Sequence, residues 1–138
     1  MGRSDTAPTM AQENVEVVRA VIDGWLRGDP ATLDLISEEV VYVSPPTVPD
    51  AKTYRGHEGV LQWVVDWRQE WTDYELDVEE IQELGDQVLT VERNRATGKR
   101  SGVAVDMETF SLWTLRDQKV IRWQGYASRD EALEAAGL

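Results

Sequence analysis

The chain has 138 residues, enough for one domain with its own core, and 14 Lys and Arg against 26 Asp and Glu leave a net charge of −12. That charge repels phosphate backbones and anionic lipid heads, which argues against nucleic acid and membrane partners; no cysteine and a single histidine exclude disulfides, thiolate chemistry and multi-histidine metal sites. No apolar run reaches the ~18 residues of a membrane span and the first residues lack a signal-peptide core, so the reading is a soluble, cytoplasmic protein, with six tryptophans that suggest large aromatic walls around a core or cavity.

Residues 1–10 read as a flexible tail and 11–138 as one domain. Thr9 and Gln12 form a capping box, after which Val15, Val18, Val21, Ile22, Trp25 and Leu26 recur at helical spacing up to Gly28. Asp29-Pro30 opens a short second helix with Leu33 and Ile36 on its buried face. Val40–Ser44 reads as a strand, and Pro45, Pro46 and Pro49 break it into a loop. Arg55-Gly56-His57-Glu58 starts a third helix whose stripe is Val60, Val64, Trp67 and Trp71, with Trp63 beside it. Tyr74, Leu76 and Val78 then alternate with acidic residues on an outer strand. Three longer strands follow, Gln87–Thr97, Gly102–Leu115 and Val120–Ala127, joined by turns at Gly98–Ser101 and Arg116–Lys119. Ser128 and Glu131 mark the start of a last short helix. Helices grouped ahead of a meander predict an α+β fold.

The faces of the strands can be assigned from alternation. Val103, Val105, Met107, Trp113 and Leu115 are the apolar face of their strand and are expected inward. If Lys99-Arg100 is a two-residue turn, Asn94 lies opposite Val105, Arg93 opposite Asp106 and Glu92 opposite Met107. Thr90, Glu92 and Asn94 then turn inward, and a one-residue slip would turn them all out. At the last hairpin Trp113 is expected opposite Ile121 and Ser111 opposite Trp123. Thr109, Ser111, Trp113, Ile121, Trp123 and Gly125 would then share the pocket face. Phe110, Leu112 and Tyr126 make the outer face apolar, which predicts a homodimer through that face.

Three stretches carry a resemblance: Tyr54-Arg55-Gly56-His57-Glu58-Gly59-Val60, the hairpin Phe110–Val120, and Arg122-Trp123-Gln124-Gly125-Tyr126 with Ser128–Leu133. In them the chain resembles the SnoaL-like branch of the NTF2-like superfamily, whose members include ketosteroid isomerases, scytalone dehydratase and limonene epoxide hydrolase. The resemblance implies a cone: a curved, mostly antiparallel sheet with about three N-terminal helices on its concave face, a short C-terminal helix, a pocket, and commonly a homodimer. No cofactor or metal is implied. The catalytic patterns of the relatives do not carry over intact. An aspartate acid/base of the cyclases aligns with Gly125, the Arg-x-Asp of the epoxide hydrolases is replaced by Glu92-Arg93-Asn94-Arg95, and the first helix lacks the tyrosine of the isomerases.

Glu92 is the candidate proton carrier, since a carboxylate in an aromatic-walled pocket has its pKa raised by desolvation; on the solvated face it would have no such role. His57 at the third helix start is the second candidate, as a neutral imidazole near the pocket or, alternatively, an exposed helix-terminal residue. Asn94 could orient a substrate carbonyl, Tyr42 and Tyr54 could supply phenolic donors, and Trp63, Trp67, Trp113 and Trp123 could clamp a flat ligand or simply pack the core. Two functions stay open: a cofactor-free isomerase, cyclase or dehydratase acting on a small hydrophobic molecule by acid–base catalysis, or a non-catalytic dimeric protein that binds such a molecule.

Overall fold

The structure, a computed structural model, describes residues 9–48 and 51–138. Residues 1–8 of the expected tail and Pro49 of the proline loop lie outside the described residues, whereas Thr9 caps the first helix and Met10 begins it. That helix, α1 (Met10–Arg27), begins at the expected capping box and ends at Gly28, whose φ of 67° is the left-handed conformation glycine adopts without strain. Asp29 caps a 3₁₀ turn over Pro30–Leu35, which runs directly into β1 (Ile36–Val43). Ile36 therefore begins a strand instead of lying on a helix face. A short strand, β2 (Thr53–Arg55), is absent from the sequence reading; it pairs with β1 and leads into α2 (Gly56–Glu70). Trp71 is extended, not helical, and opens β3 (Trp71–Leu84). The meander β4 (Gln87–Gly98), β5 (Ala104–Arg116), β6 (Lys119–Tyr126) and the closing α3 (Arg129–Ala135) complete the chain.

The six strands form one curved, open sheet in the order β2-β1-β6-β5-β4-β3, antiparallel throughout except for the parallel pair β1 and β6. Bulges along β3 and between β5 and β6 bend it. On the concave side α1 buries Val18, Val21 and Ile22 in one core with Val88, Trp113, Leu115 and Val120, and α2 adds Val60 and Trp63. The architecture is α+β, a cone of the kind the sequence predicts.

Both hairpins differ from the expected register by two residues. The β4–β5 loop holds four residues, Lys99–Gly102, because Gly98 N–H bonds Val103 O (2.9 Å) and Gly102 takes φ 69°. Asn94 consequently faces Met107, Glu92 faces Thr109, and Arg95 faces Asp106. The β5–β6 turn is Asp117-Gln118, both at positive φ, and the bulge at Ile121 brings Trp113 opposite Trp123 and Ser111 opposite Gly125. An even slip leaves every side chain on its expected face. Two expected inward residues are not found there: Ile121 is taken up by the bulge, and Val103 lies before β5 starts and is exposed, because the longer loop carries it past the end of the sheet.

On the convex side Arg93 still reaches Asp106 diagonally at 2.9 Å, and Arg95 bonds Asp77 at 3.2 Å, so the arginines of β4 hold their outward face across three strands. Farther along, α3 lies over β4, β5 and β6 and buries Leu89 and Leu112 within a single chain. Leu112 thus needs no second subunit to cover it, contrary to its expected place in an interface. Phe110 and Tyr126, paired across β5 and β6, stay half-buried.

Candidate active site

The helices leave part of the concave face uncovered, and a cavity of about 270 Å³ opens there. That is near the small end of the ~300–1,000 Å³ typical of ligand sites. Alternation on β4 and β5 delivers its polar floor: Glu92, Asn94, Thr109 and Ser111.

Glu92 is 4 % exposed, and two hydroxyl relays converge on it. Thr90 Oγ1 donates to Oε1 at 2.6 Å and itself accepts from Trp113 Nε1 at 2.9 Å. Thr109 Oγ1 donates to Oε2 at 2.8 Å and accepts from Asn94 Nδ2 at 2.8 Å; Asn94 Oδ1 in turn accepts from Tyr74 OH. Ser111 Oγ makes a longer contact of 3.5 Å to Oε2. Among the described residues no cation pairs with this carboxyl. Burial therefore dominates and pushes it up to about 7, with the hydroxyls of Thr90, Thr109 and Ser111 pulling the other way. The same burial keeps the phenols of Tyr42 and Tyr74 neutral, well above their ordinary range.

The walls are aromatic. Of the expected ligand contacts, Asn94, Tyr42, Tyr54, Trp63, Trp67 and Trp123 all line the cavity. Trp113 does not: it is fully buried behind the wall, stacked on Trp123 at 4.4 Å and 10°. Its stack and its N–H to Thr90 make it the backing of both the wall and the carboxyl. Nor does His57 reach the cavity. Its Nε2 bonds Ile36 O at 2.6 Å, tying the start of α2 to β1. Trp25, Trp71 and Tyr74 also line the cavity. The signal for Tyr74 was its inward place beside Leu76 on β3. The indole N–H groups of Trp67 and Trp123 are sealed off without an oxygen or nitrogen acceptor. Both rings have near-perpendicular aromatic neighbours, Tyr74 for Trp67 and Trp25 and Trp63 for Trp123.

A second carboxyl, Asp66 on α2, stands at the rim and behaves oppositely. Gln62, Tyr54 and Lys52 all donate to it, and these bonds hold it below the usual carboxylate range. The two carboxyls of the cavity are thus pushed in opposite directions, Asp66 down by its donors and Glu92 up by burial.

At Gly125 a Cβ would lie 2.6 Å from Pro45 Cδ and 2.8 Å from Pro45 N. The position where the resemblance would put the cyclases' aspartate is thus closed by the loop after β1. Among the described residues no group of three or more Asp, Glu or His is arranged to hold a metal ion.

The family model for the SnoaL-like domain matches residues 18–123, and the chain belongs to that family. Its fold is that of several solved structures. A putative SnoaL-like polyketide cyclase from Jannaschia sp. is 20 % identical, with 97 % of this chain and 96 % of that one covered and a TM-score of 0.73. TerC, co-crystallised with polyporic acid, is 22 % identical over 91 % and 99 % with a TM-score of 0.74. A protein with a ketosteroid isomerase-like fold from Catenulispora acidiphila, in complex with trimethylamine, is 20 % identical over 89 % and 93 % with a TM-score of 0.70. No curated protein matches the chain significantly.

Gly125→Ala should lower the unfolding free energy by roughly 1–3 kcal/mol, the usual cost of overpacking, read from denaturant melts. An unchanged midpoint would contradict the close seat of Pro45 on β6.

Proposed function

We propose that this protein is a cofactor-free acid–base catalyst acting on a small hydrophobic molecule, with Glu92 as the proton carrier. The observation that carries the reading is a buried carboxyl, paired with no cation among the described residues, on the floor of an aromatic cavity. A group titrating near 7 is half ionised at neutral pH and can both take and return a proton, as isomerisation, cyclisation and dehydration each require. Asn94 and Thr109 fix the carboxyl's orientation, and Trp63, Trp67 and Trp123 are the surfaces on which a ligand's apolar body would rest. His57 has no part in this reading. The small molecules crystallised with TerC and with the Catenulispora acidiphila protein support a ligand-holding role for the fold.

One observation favours a second reading, non-catalytic binding: both oxygens of Glu92 already accept hydroxyl hydrogen bonds. Proton exchange separates the two. Incubation with 2-tetralone in deuterium oxide, followed by NMR, should show α-hydrogen exchange that the wild-type protein accelerates with an inflection near pH 7. Glu92→Gln should lose this acceleration by on the order of 10²–10⁴-fold. Binding without exchange, or equal exchange by the variant, would select the binding role.

The half-buried pair Phe110 and Tyr126 is the surface through which we propose a second copy packs. Sedimentation at micromolar concentration should give a dimer that Phe110→Asp dissociates; a wild-type monomer would remove this part of the reading.

A further inference from the structure

The lining of the cavity restricts the charge of what it can hold. Among the described residues it contains three carboxyl groups, Asp66, Glu70 and Glu92, against one cation, Lys52, which Asp66 already engages at 3.1 Å. An anionic ligand would meet this excess of acid inside a chain of net charge −12. A neutral ligand would leave Glu92 without a countercharge, and desolvating a lone carboxylate is costly. A cation would supply it.

The walls suit the same choice. Trp63, Trp67, Trp71, Trp123, Tyr42 and Tyr74 surround the space. Their successive centroids lie 4.3–5.9 Å apart, a continuous aromatic surface from β6 across α2 to β3. Ring faces attract cations, and most strongly where water is excluded. Hydrogen bonding narrows the choice again. Each oxygen of Glu92 already accepts from a threonine hydroxyl, and the Asn94 amide is engaged by Thr109 and Tyr74. A primary ammonium gives up more hydration on entry than an alkylated one, and the ring faces that make up most of the wall return only weak N–H acceptors. An ammonium whose hydrogens are replaced by alkyl groups has few or none to satisfy.

We propose that the cavity selects an alkylated organic ammonium, its charge set among the aromatic rings and balanced by the carboxylate of Glu92. This rests on the reading of the cavity as the ligand site and adds the ligand's charge to it. Binding is then linked to ionisation. The titratable groups facing Glu92 are Tyr42 from β1 and Tyr74 from β3, both neutral, while Lys52, Asp66 and Glu70 complete the charged lining; Asp66 is ionised across the range of interest. Glu92 is the group left to change charge near neutrality.

The test uses choline and its uncharged carbon isostere 3,3-dimethyl-1-butanol, with tryptophan fluorescence and calorimetry as readouts on the full chain. Choline should bind at least tenfold more tightly than the isostere at pH 8, and its affinity should rise about tenfold from pH 6 to pH 8 as Glu92 ionises. Glu92→Gln should remove most of that rise, whereas Trp67→Leu should weaken choline and keep the pH dependence. Equal affinity for the isostere, a flat pH profile in the wild-type protein, or no response to either compound would overturn the proposal. None of these results bears on the exchange of 2-tetralone hydrogens, so loss of the charge preference and loss of the catalytic reading are told apart.

Discussion

The hydroxyl–carboxyl contacts at Glu92 are the interaction on which the interior is organised. Thr90 and Thr109 stand two strand positions or one strand away from it, and each passes on a hydrogen bond from a larger group, Trp113 in one case and Asn94 in the other. A carboxyl buried in apolar surroundings alone would be neutral through the physiological range. One held by two or three hydroxyls can ionise, at a pH set by the balance of burial and hydrogen bonding. The same contacts lock β3, β4 and β5 together on their inner face, since Tyr74, Asn94 and Thr109 come one from each strand.

The outer face enforces that arrangement. Arg93 and Arg95 are drawn to Asp77, Glu79 and Asp106 on the convex side, and strict alternation leaves Glu92 and Asn94 facing in. Glu108 sits beside Glu79 on this surface, and that neighbour pushes its carboxyl upward. Each surface ion pair is worth little by itself, but the row defines a register parity that a one-residue slip would invert. On the inside, the Trp113–Trp123 stack couples the packed core under α1 to the wall of the cavity.

Much of this was legible from residue order. Capping at Thr9, Asp29 and Ser128, the left-handed glycine at 28 and the alternation of β4 and β5 are local signals, and the elements they mark formed where expected. The inward placement of Glu92 needed only parity to be right: both hairpin registers were off by two residues, and neither error changed its face. Loop length was the hidden quantity, since Gly98 and Gly102 close a four-residue turn that Lys99-Arg100 could also have made as two. What was not legible depended on contacts remote in sequence. The parallel pairing of β1 with β6 and the seat of Pro45 on Gly125 join segments about 80 residues apart. Trp113 and Trp123 share one face, and only the stacking decides which of them meets the cavity. His57 is drawn to Ile36 O, a backbone acceptor with no signature in sequence. The short α3 was expected, but that it would cover Leu112 from outside was not.

The central claim is that Glu92 is a buried carboxyl without a countercharge. The unfolding free energy of the wild-type protein and of Glu92→Gln, measured from pH 4 to pH 9, addresses it. With the carboxyl raised from 4.5 to about 7 in the folded state, the folded chain holds more proton than the unfolded one across that window, so its stability falls as pH rises through it. The account predicts that the wild-type protein loses roughly 2–3 kcal/mol relative to the variant between pH 4.5 and 8. Parallel curves for the two proteins would contradict it.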